Sequence, residues 1–291
     1  MSEVKIAGVM RSRDYSPNHI GNDAAIFNAT AEQLRKRGFV VNVYSEEKFK
    51  SCDIEEDVVL NMCRDAASIK KLQKLEDAGK LVLNSGYGIE NCTRERMARI
   101  LLGSGIPYPE SIIVNTDESV KDMLSRVGMN NCWVKCGGHS QHKEDVSYVR
   151  HRDEAQEILQ EYFYRGINRA VINKHIVGDL VKFYGVKGTP FFHWFFPFER
   201  GHVMQDYGVD IDLTKERKLD ESKLKAYCEQ ACEELNVMIY GGDCIVGVDG
   251  KITIIDFNDW PSYAPCSNEA APHIAKRVLA EIKEFISKRE K

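Results

Sequence analysis

Residues 240–258 read Tyr240-Gly241-Gly242-Asp243-Cys244-Ile245-Val246-Gly247-Val248-Asp249-Gly250-Lys251-Ile252-Thr253-Ile254-Ile255-Asp256-Phe257-Asn258. Asp249-Gly250 is a favoured dipeptide for a two-residue type I′ turn, whose central positions both need a positive φ. With that turn setting the register, Val248 pairs with Lys251 and Val246 with Thr253, and Asp243 falls opposite Asp256. Strand side chains alternate between faces, so Asn258 joins Asp256 and three oxygen-bearing groups converge on one patch. The competing reading is a solvent-exposed hairpin end. Against it, Ile245-Val246 and Ile252 to Ile255 are too apolar for an idle surface ribbon. Facing carboxylates repel unless a cation lies between them. An all-oxygen set suits a hard ion such as Mg²⁺, which completes its shell with water and phosphate oxygens. Asp243, Asp256 and Asn258 are therefore candidate metal ligands, and a phosphate-carrying substrate is implied.

Working outward, the cations that could face such a substrate lie upstream. Trp133-Val134-Lys135-Cys136-Gly137-Gly138-His139-Ser140 puts a lysine in an apolar strand just before two glycines, whose backbone N–H groups can approach an anion closely. The plainer reading of Lys135 is an edge-strand lysine reaching water. Lys182 is a second lysine among apolar neighbours, in Gly178-Asp179-Leu180-Val181-Lys182-Phe183-Tyr184, and Arg96 begins a helix after a loop. His139 and His142 share the glycine loop and are either substrate ligands or solvent-exposed loop histidines.

The first ninety residues alternate strand and helix patterns. Val4 to Met10 reads as a strand, Asn22 to Arg37 as a helix stopped by Gly38, and Phe39 to Tyr44 as the next strand. Val58 to Met62, Ala67 to Ala78 and Leu81 to Asn84 continue the alternation, which predicts an open, mostly parallel α/β sheet. From Thr93 the texture changes to α+β with antiparallel pieces, ending in the hairpin. Expected units are 1–92, then 93–172 and 173–291. Arg11 to Asp23 follows the first strand, where open sheets place ligands. Arg11, Arg13 and Asn18 are thus candidates for a non-nucleotide substrate, and helix capping is the simpler role for Asn22 and Asp23.

Composition bounds the class. The 291 residues are 43% hydrophobic and 29% charged, with 40 basic against 44 acidic side chains and a formal charge of −4, so no global field attracts nucleic acid or anionic lipid. No apolar run is long enough to span a bilayer. Nine cysteines without a CxxC pair predict reduced thiols in a cytoplasmic protein.

This order of features resembles the ATP-grasp superfamily. It has an open α/β domain, a cation near a helix start before Gly105-Ile106-Pro107-Tyr108-Pro109, a Val134-Lys135 strand ending in Gly137-Gly138, a hinge strand, and the terminal Asp256-Phe257-Asn258. The resemblance covers nearly the whole chain and implies that two α+β lobes clamp ATP. Arg96, Lys135, Gly137 and Gly138 would meet its phosphates, and Lys174, His175 and Ile176 its adenine. Asp179 would meet the ribose, Asp243, Asp256 and Asn258 would hold Mg²⁺ (or Mn²⁺), and Lys182 would face the reacting centre. Arg96 stands where a lysine is usual, Asp256 where glutamate is common, and Asn173-Lys174-His175 lacks the frequent Gln-Glu pair.

The resemblance implies a ligase similar to RimK-type and glutathione-synthetase-like enzymes, which activates a small carboxylate as an acyl phosphate for capture by an amine or thiol. Ile255 to Tyr263 and Leu180 to Val186 also resemble the inositol-polyphosphate kinase branch, although Ser262 replaces its glycine. A kinase would use His139, His142, Lys143, Lys182 and Lys187 around a phosphorylated acceptor. A small molecule is the expected partner, with a homodimer entertained and a protein terminus as substrate left open.

Overall fold

Three four-stranded sheets follow one another along the computed structural model, which describes residues 4–16, 20–139, 143–198 and 219–290. In the first, β1 (Lys5–Met10), β2 (Val40–Ser45), β3 (Val58–Asn61) and β4 (Leu81–Leu83) run parallel in the order β2-β1-β3-β4. Helix Ile20–Arg35 buries Ile26, Phe27, Ala31 and Leu34, which recur at helical spacing and form one stripe. Gly38, at φ 88°, then turns the chain into β2, a conformation glycine adopts without strain.

The second sheet is antiparallel, ordered β5-β8-β6-β7 from β5 (Ser111–Asn115), β6 (Cys132–Cys136), β7 (Val146–Val149) and β8 (Arg169–Lys174). The third is also antiparallel, ordered β10-β9-β11-β12 from β9 (Asp179–Val186), β10 (Phe192–Phe195), β11 (Ile239–Val246) and β12 (Ile252–Asp259). One face of this third sheet carries Val181, Phe183, Cys244, Ile254 and Phe257. It packs on Met97 and Leu101 of helix Arg94–Gly103 and on Leu224, Cys228 and Leu235 of helix Glu221–Leu235. That burial leaves the opposite face free to line a cavity.

The β11–β12 hairpin corrects its own expectation. Gly247 N–H donates to the Lys251 carbonyl and Gly250 N–H to the Gly247 carbonyl, both at 2.9 Å, with Gly250 at φ 77°. The loop is thus longer than two residues, and Val246 pairs with Ile252 rather than Thr253. The register shifts between Asp243 and Cys244, where β12 carries Ile255 as an extra residue, and Asp243 again lies opposite Asp256. Two irregularities offset each other, so the acid pair forms although the turn differs.

Helix Ser267–Arg289 was absent from the sequence reading. It buries Ala270, Ile274, Ala275, Val278 and Ile282 in one cluster with Ile26, Ala31 and Leu34 of the first helix. The expected 173–291 unit therefore sends its last helix back onto the N-terminal sheet. Among the described residues, no helix is long and apolar enough to cross a membrane.

Candidate active site

Residues opposite each other across a sheet project to the same face, and the third sheet sets out a row of them. Phe195 lies opposite Lys182, Lys182 opposite Asp243, and Asp243 opposite Asp256. Two residues along the strands, the parallel row is His193, Tyr184, Gly241 and Asn258. Gly241 adds no side chain there, and Asn258 Nδ2 donates to Asp256 Oδ2 at 3.2 Å. Lys182 Nζ donates to Asp243 Oδ1 at 2.9 Å, which supplies one of the cations the facing acids require.

A second cation comes from the other sheet. Lys135, 7% exposed, donates from Nζ to the Ile255 carbonyl at 3.0 Å, so it bridges β6 to β12. Burial pushes its ammonium down to about 8, with Arg94 adding to the effect and Asp256 and Asp243 opposing it. Burial also acts on Asp256, but Arg94, Lys135, the Asn258 amide and Lys182 together hold its carboxyl below the usual aspartate range. Asp243 goes the other way, raised by burial and by Asp256 despite Lys182. Burial pulls Lys182 down, yet Asp243 raises it above an ordinary lysine.

Two cavities meet at these acids. The first, about 520 Å³, lies between the second and third sheets and is lined by Trp133, Lys135, Asn173, Lys174, His175, Ile176, Leu180, Ile245 and Ile255, among others. The second, about 840 Å³, lies between the third sheet and the N-terminal unit and includes Arg11, Tyr15, Asp23, Arg64, His139, Lys182, Tyr184 and Asn258. Arg94, Asp243 and Asp256 line both. One sheet face thus passes from apolar Leu180 and Ile245, through the charged row, to Tyr184 and Asn258.

No family model matches the chain, and no curated protein matches it in sequence. Solved structures do match in shape. D-alanyl-alanine synthetase A from Vibrio cholerae O1 biovar eltor str. N16961 superposes with a TM-score of 0.71 at 12% identity, covering 99% of each chain. A RimK domain ATP-grasp protein from Sphaerobacter thermophilus DSM 20745 reaches 0.66 at 18% identity, over 94% of this chain and 99% of the other. The ATP-grasp ligase PsnB, complexed with minimal precursor, Mg and ADP, reaches 0.59 at 16% identity over 96% and 98%. The chain has the ATP-grasp fold. Identities this low carry the architecture and not the reaction.

Within the ATP-grasp fold, the expected site residues divide. Lys135, Lys174, His175 and Ile176 line the first cavity, Arg11, Gly138, His139, Lys182 and Asn258 the second, and Asp243 and Asp256 both. Arg96 does not join them. It is half exposed and pairs with Glu90 at 3.1 Å, because its helix turns it outward. Arg94, two residues earlier, faces both cavities instead and donates from Nη1 to Cys136 Sγ at 3.2 Å. Its place at the helix N-terminus was the available signal. Gly137 is not a free phosphate donor either, since its N–H donates to the Arg169 carbonyl at 2.8 Å and a Cβ there would strike Arg169.

Asp179 opens β9 opposite Val246 and lines neither cavity, and Arg13 is exposed in a single 3₁₀ turn. Lys187 pairs with Glu233 at 3.5 Å, away from both cavities. Asn18, His142 and the Lys143 side chain lie outside the described residues. Asp23 is not acting as a cap: its Oδ2 accepts from Arg11 Nη1 at 3.2 Å and from Ser16 Oγ at 2.5 Å. Arg64 was missed because nothing around Met62-Cys63-Arg64-Asp65 marks a site in sequence, and only the fold brings it to His139 and Asp259.

The donor set passes a chemical test for a hard divalent cation. Asp243, Asp256 and the Asn258 amide offer oxygen alone, and Asp256 is held ionised. Among the described residues, no cluster of three His, Cys, Asp or Glu side chains offers a competing metal site.

Proposed function

We propose that the chain is an ATP- and Mg²⁺-dependent ligase that activates a small carboxylate as an acyl phosphate for capture by an amine or thiol. The observation that carries this reading is the shared wall: Arg94, Asp243 and Asp256 stand between an apolar chamber and a cationic one. The apolar chamber suits a purine between Trp133 and the aliphatic Ile176, Leu180 and Ile255, with its phosphates running toward Lys135 and Arg94. The superposed PsnB complex with Mg and ADP supports a nucleotide and a cation in this architecture.

Asp243, Asp256 and Asn258 would hold the Mg²⁺, which supplies charge neutralisation on transferring phosphoryl oxygens. Lys135, tied to the Ile255 carbonyl, keeps its ammonium beside the acids, and Arg94 adds a guanidinium at the wall. A carboxylate oxygen in the second chamber attacks the γ-phosphorus as the bond to ADP breaks, and an amine or thiol then attacks the acyl carbon and expels phosphate. Lys182, anchored on Asp243, faces the carboxylate where charge develops. No side chain acts as covalent nucleophile, and positioning with charge neutralisation supplies the rate.

A kinase is the second reading, favoured by Arg11, Arg64, Arg94 and Lys182 all lining the acceptor chamber. Incubating the protein with Mg–ATP and a deproteinised metabolite extract separates the two, with Asp256→Ala as blank. Equal ADP and free phosphate support ligation, whereas ADP without free phosphate moves the γ-phosphoryl onto an acceptor and overturns the ligase.

A further inference from the structure

The cations lining the second chamber are not equally available to a ligand. Arg11 engages all three of its nitrogens: Nη1 donates to Asp23 Oδ2 at 3.2 Å, Nη2 to the Trp260 carbonyl at 2.7 Å, and Nε to the Met62 carbonyl at 3.3 Å. Lys182 is paired with Asp243, and Arg94, whose Nε is buried with no hydrogen-bond partner among the described residues, stands at the wall shared with the nucleotide chamber. Arg64 differs. Its Nη2 donates to the Asp259 carbonyl at 3.0 Å and lies 2.9 Å from Asp259 Oδ1, while Nη1 donates to His139 Nδ1 at 3.1 Å. A guanidinium has five N–H donors. Two are hydrogen-bonded, to His139 and to the Asp259 carbonyl, and the Asp259 Oδ1 contact is an ion pair whose oxygen takes no hydrogen bond. That leaves Nε–H and one N–H on each Nη, and Nε is likewise buried with no hydrogen-bond partner among the described residues.

We propose that the second chamber selects an acceptor bearing a second oxyanion, remote from the group that reacts, and that Arg64 binds it. The proposal rests on the reading above in placing a substrate in this chamber. The Arg64 side chain keeps 12% of its surface exposed and lines the second chamber, so a carboxylate or phosphate oxygen there can take charge-assisted hydrogen bonds from its remaining N–H groups. Asp259 and His139 hold the guanidinium from two sides. Arg64 can only donate, so His139 Nδ1 must accept and the ring adds no competing charge. With a divalent cation on Asp243 and Asp256 and nucleotide phosphates on Arg94, the cations Arg11, Arg64 and Lys182 would face Asp23 and Asp259, a positive excess that favours an anionic ligand. Tyr184 and Phe195, stacked with ring centroids 6.4 Å apart, then form one wall beside the stem between the two anionic ends.

The test loads the protein with Mg–AMPPNP and titrates butyrate, succinate and 3-phosphonopropionate, with binding followed by ligand-observed NMR. Succinate or 3-phosphonopropionate is expected to bind about tenfold tighter than butyrate, and whichever binds tighter distinguishes a carboxylate from a phosphate group. Arg64→Gln is expected to erase that preference while the melting shift given by Mg–AMPPNP keeps its wild-type size. Equal affinity for all three compounds in the wild type, or a preference that survives Arg64→Gln, overturns the proposal. Should Arg64→Gln fail to fold, Arg64→Met removes the charge as well, and an undiminished preference there overturns it equally. A wild-type protein with no Mg–AMPPNP shift would overturn the nucleotide reading instead, so the two failures are distinguishable.

Discussion

The two chambers are built in different ways. The first is walled by two antiparallel sheets and the β8–β9 connection, so its groups come from strands close in sequence or paired in register. The second draws Arg11 and Arg64 from the ends of parallel strands, His139 from a loop of the middle unit, and Tyr184 and Asn258 from the last sheet. A site made by strand register can be read from alternation and spacing, because the period is two and opposing residues are fixed by the turn. A site made by docking separate units cannot, since no local pattern says which loops will meet. Experiments that act on one chamber and spare the other test this division.

The largest effect is expected at the shared wall. Asp256→Asn should lower turnover on the order of a hundredfold to a thousandfold, as when one preorganised electrostatic group is removed from a reacting centre. Asp256→Ala and Lys135→Ala should each abolish the thermal stabilisation given by Mg–ADP without unfolding the protein. Unchanged shifts in both variants would remove the nucleotide from the first chamber.

The acid pair was legible although the argument for it was incomplete. Asp249-Gly250 announced a turn, but a longer loop with Gly250 at positive φ offset the register, and only the extra residue at Ile255 restored Asp243 opposite Asp256. Bulges carry no sequence signal that separates them from continuous strand. Helix Ser267–Arg289 went unread although its apolar spacing is regular, since Pro272 in its second turn has the look of a helix breaker. Arg64 and Asp259 lie 195 positions apart, and their pairing was beyond any local reading.

Arg94 and Arg96 offer the sharpest contrast over a short distance. Both precede the same Gly-Ile-Pro segment, yet one faces the shared wall and the other pairs with Glu90 on the surface. Arg94→Gln is expected to lower kcat/KM roughly a hundredfold. Arg96→Gln should leave turnover unchanged and cost about 0–1 kcal/mol of stability, as exposed ion pairs do. Steady-state kinetics on the two variants, with melting as the control, would reverse the assignment if Arg96 proved the costlier.

His139 separates the chambers by pH. Burial, then Arg64, Arg94 and Arg11, hold its imidazole well below the ordinary 6.5, with the Ile89 carbonyl opposing. Below pH 6.5 the unfolded chain therefore binds a proton that the folded chain refuses, and stability falls as the pH drops, by at most about 1.4 kcal/mol per pH unit. His139→Gln should flatten this acid limb and leave stability at pH 8 less affected. Urea midpoints at pH 5 and pH 7 check it, and parallel losses in wild type and variant would mean that His139 is not a buried neutral ring.

The smallest effect tests whether the turn and the acids are mechanically separate. Gly250 sits at φ 77°, where an L side chain costs about 1–2 kcal/mol, and it is not among the described residues that line either chamber. Gly250→Ala should therefore lower stability by about 1 kcal/mol through the hairpin tip. Between the tip and the acids stand three paired positions and the irregularity beside Asp243, and strain at the loop has those strand hydrogen bonds to dissipate in before it reaches Asp256. The Mg–ADP melting shift is accordingly expected to keep its wild-type size. A shift that shrank together with stability would show that the turn holds the acid register after all, and that the first chamber depends on the whole length of its hairpin.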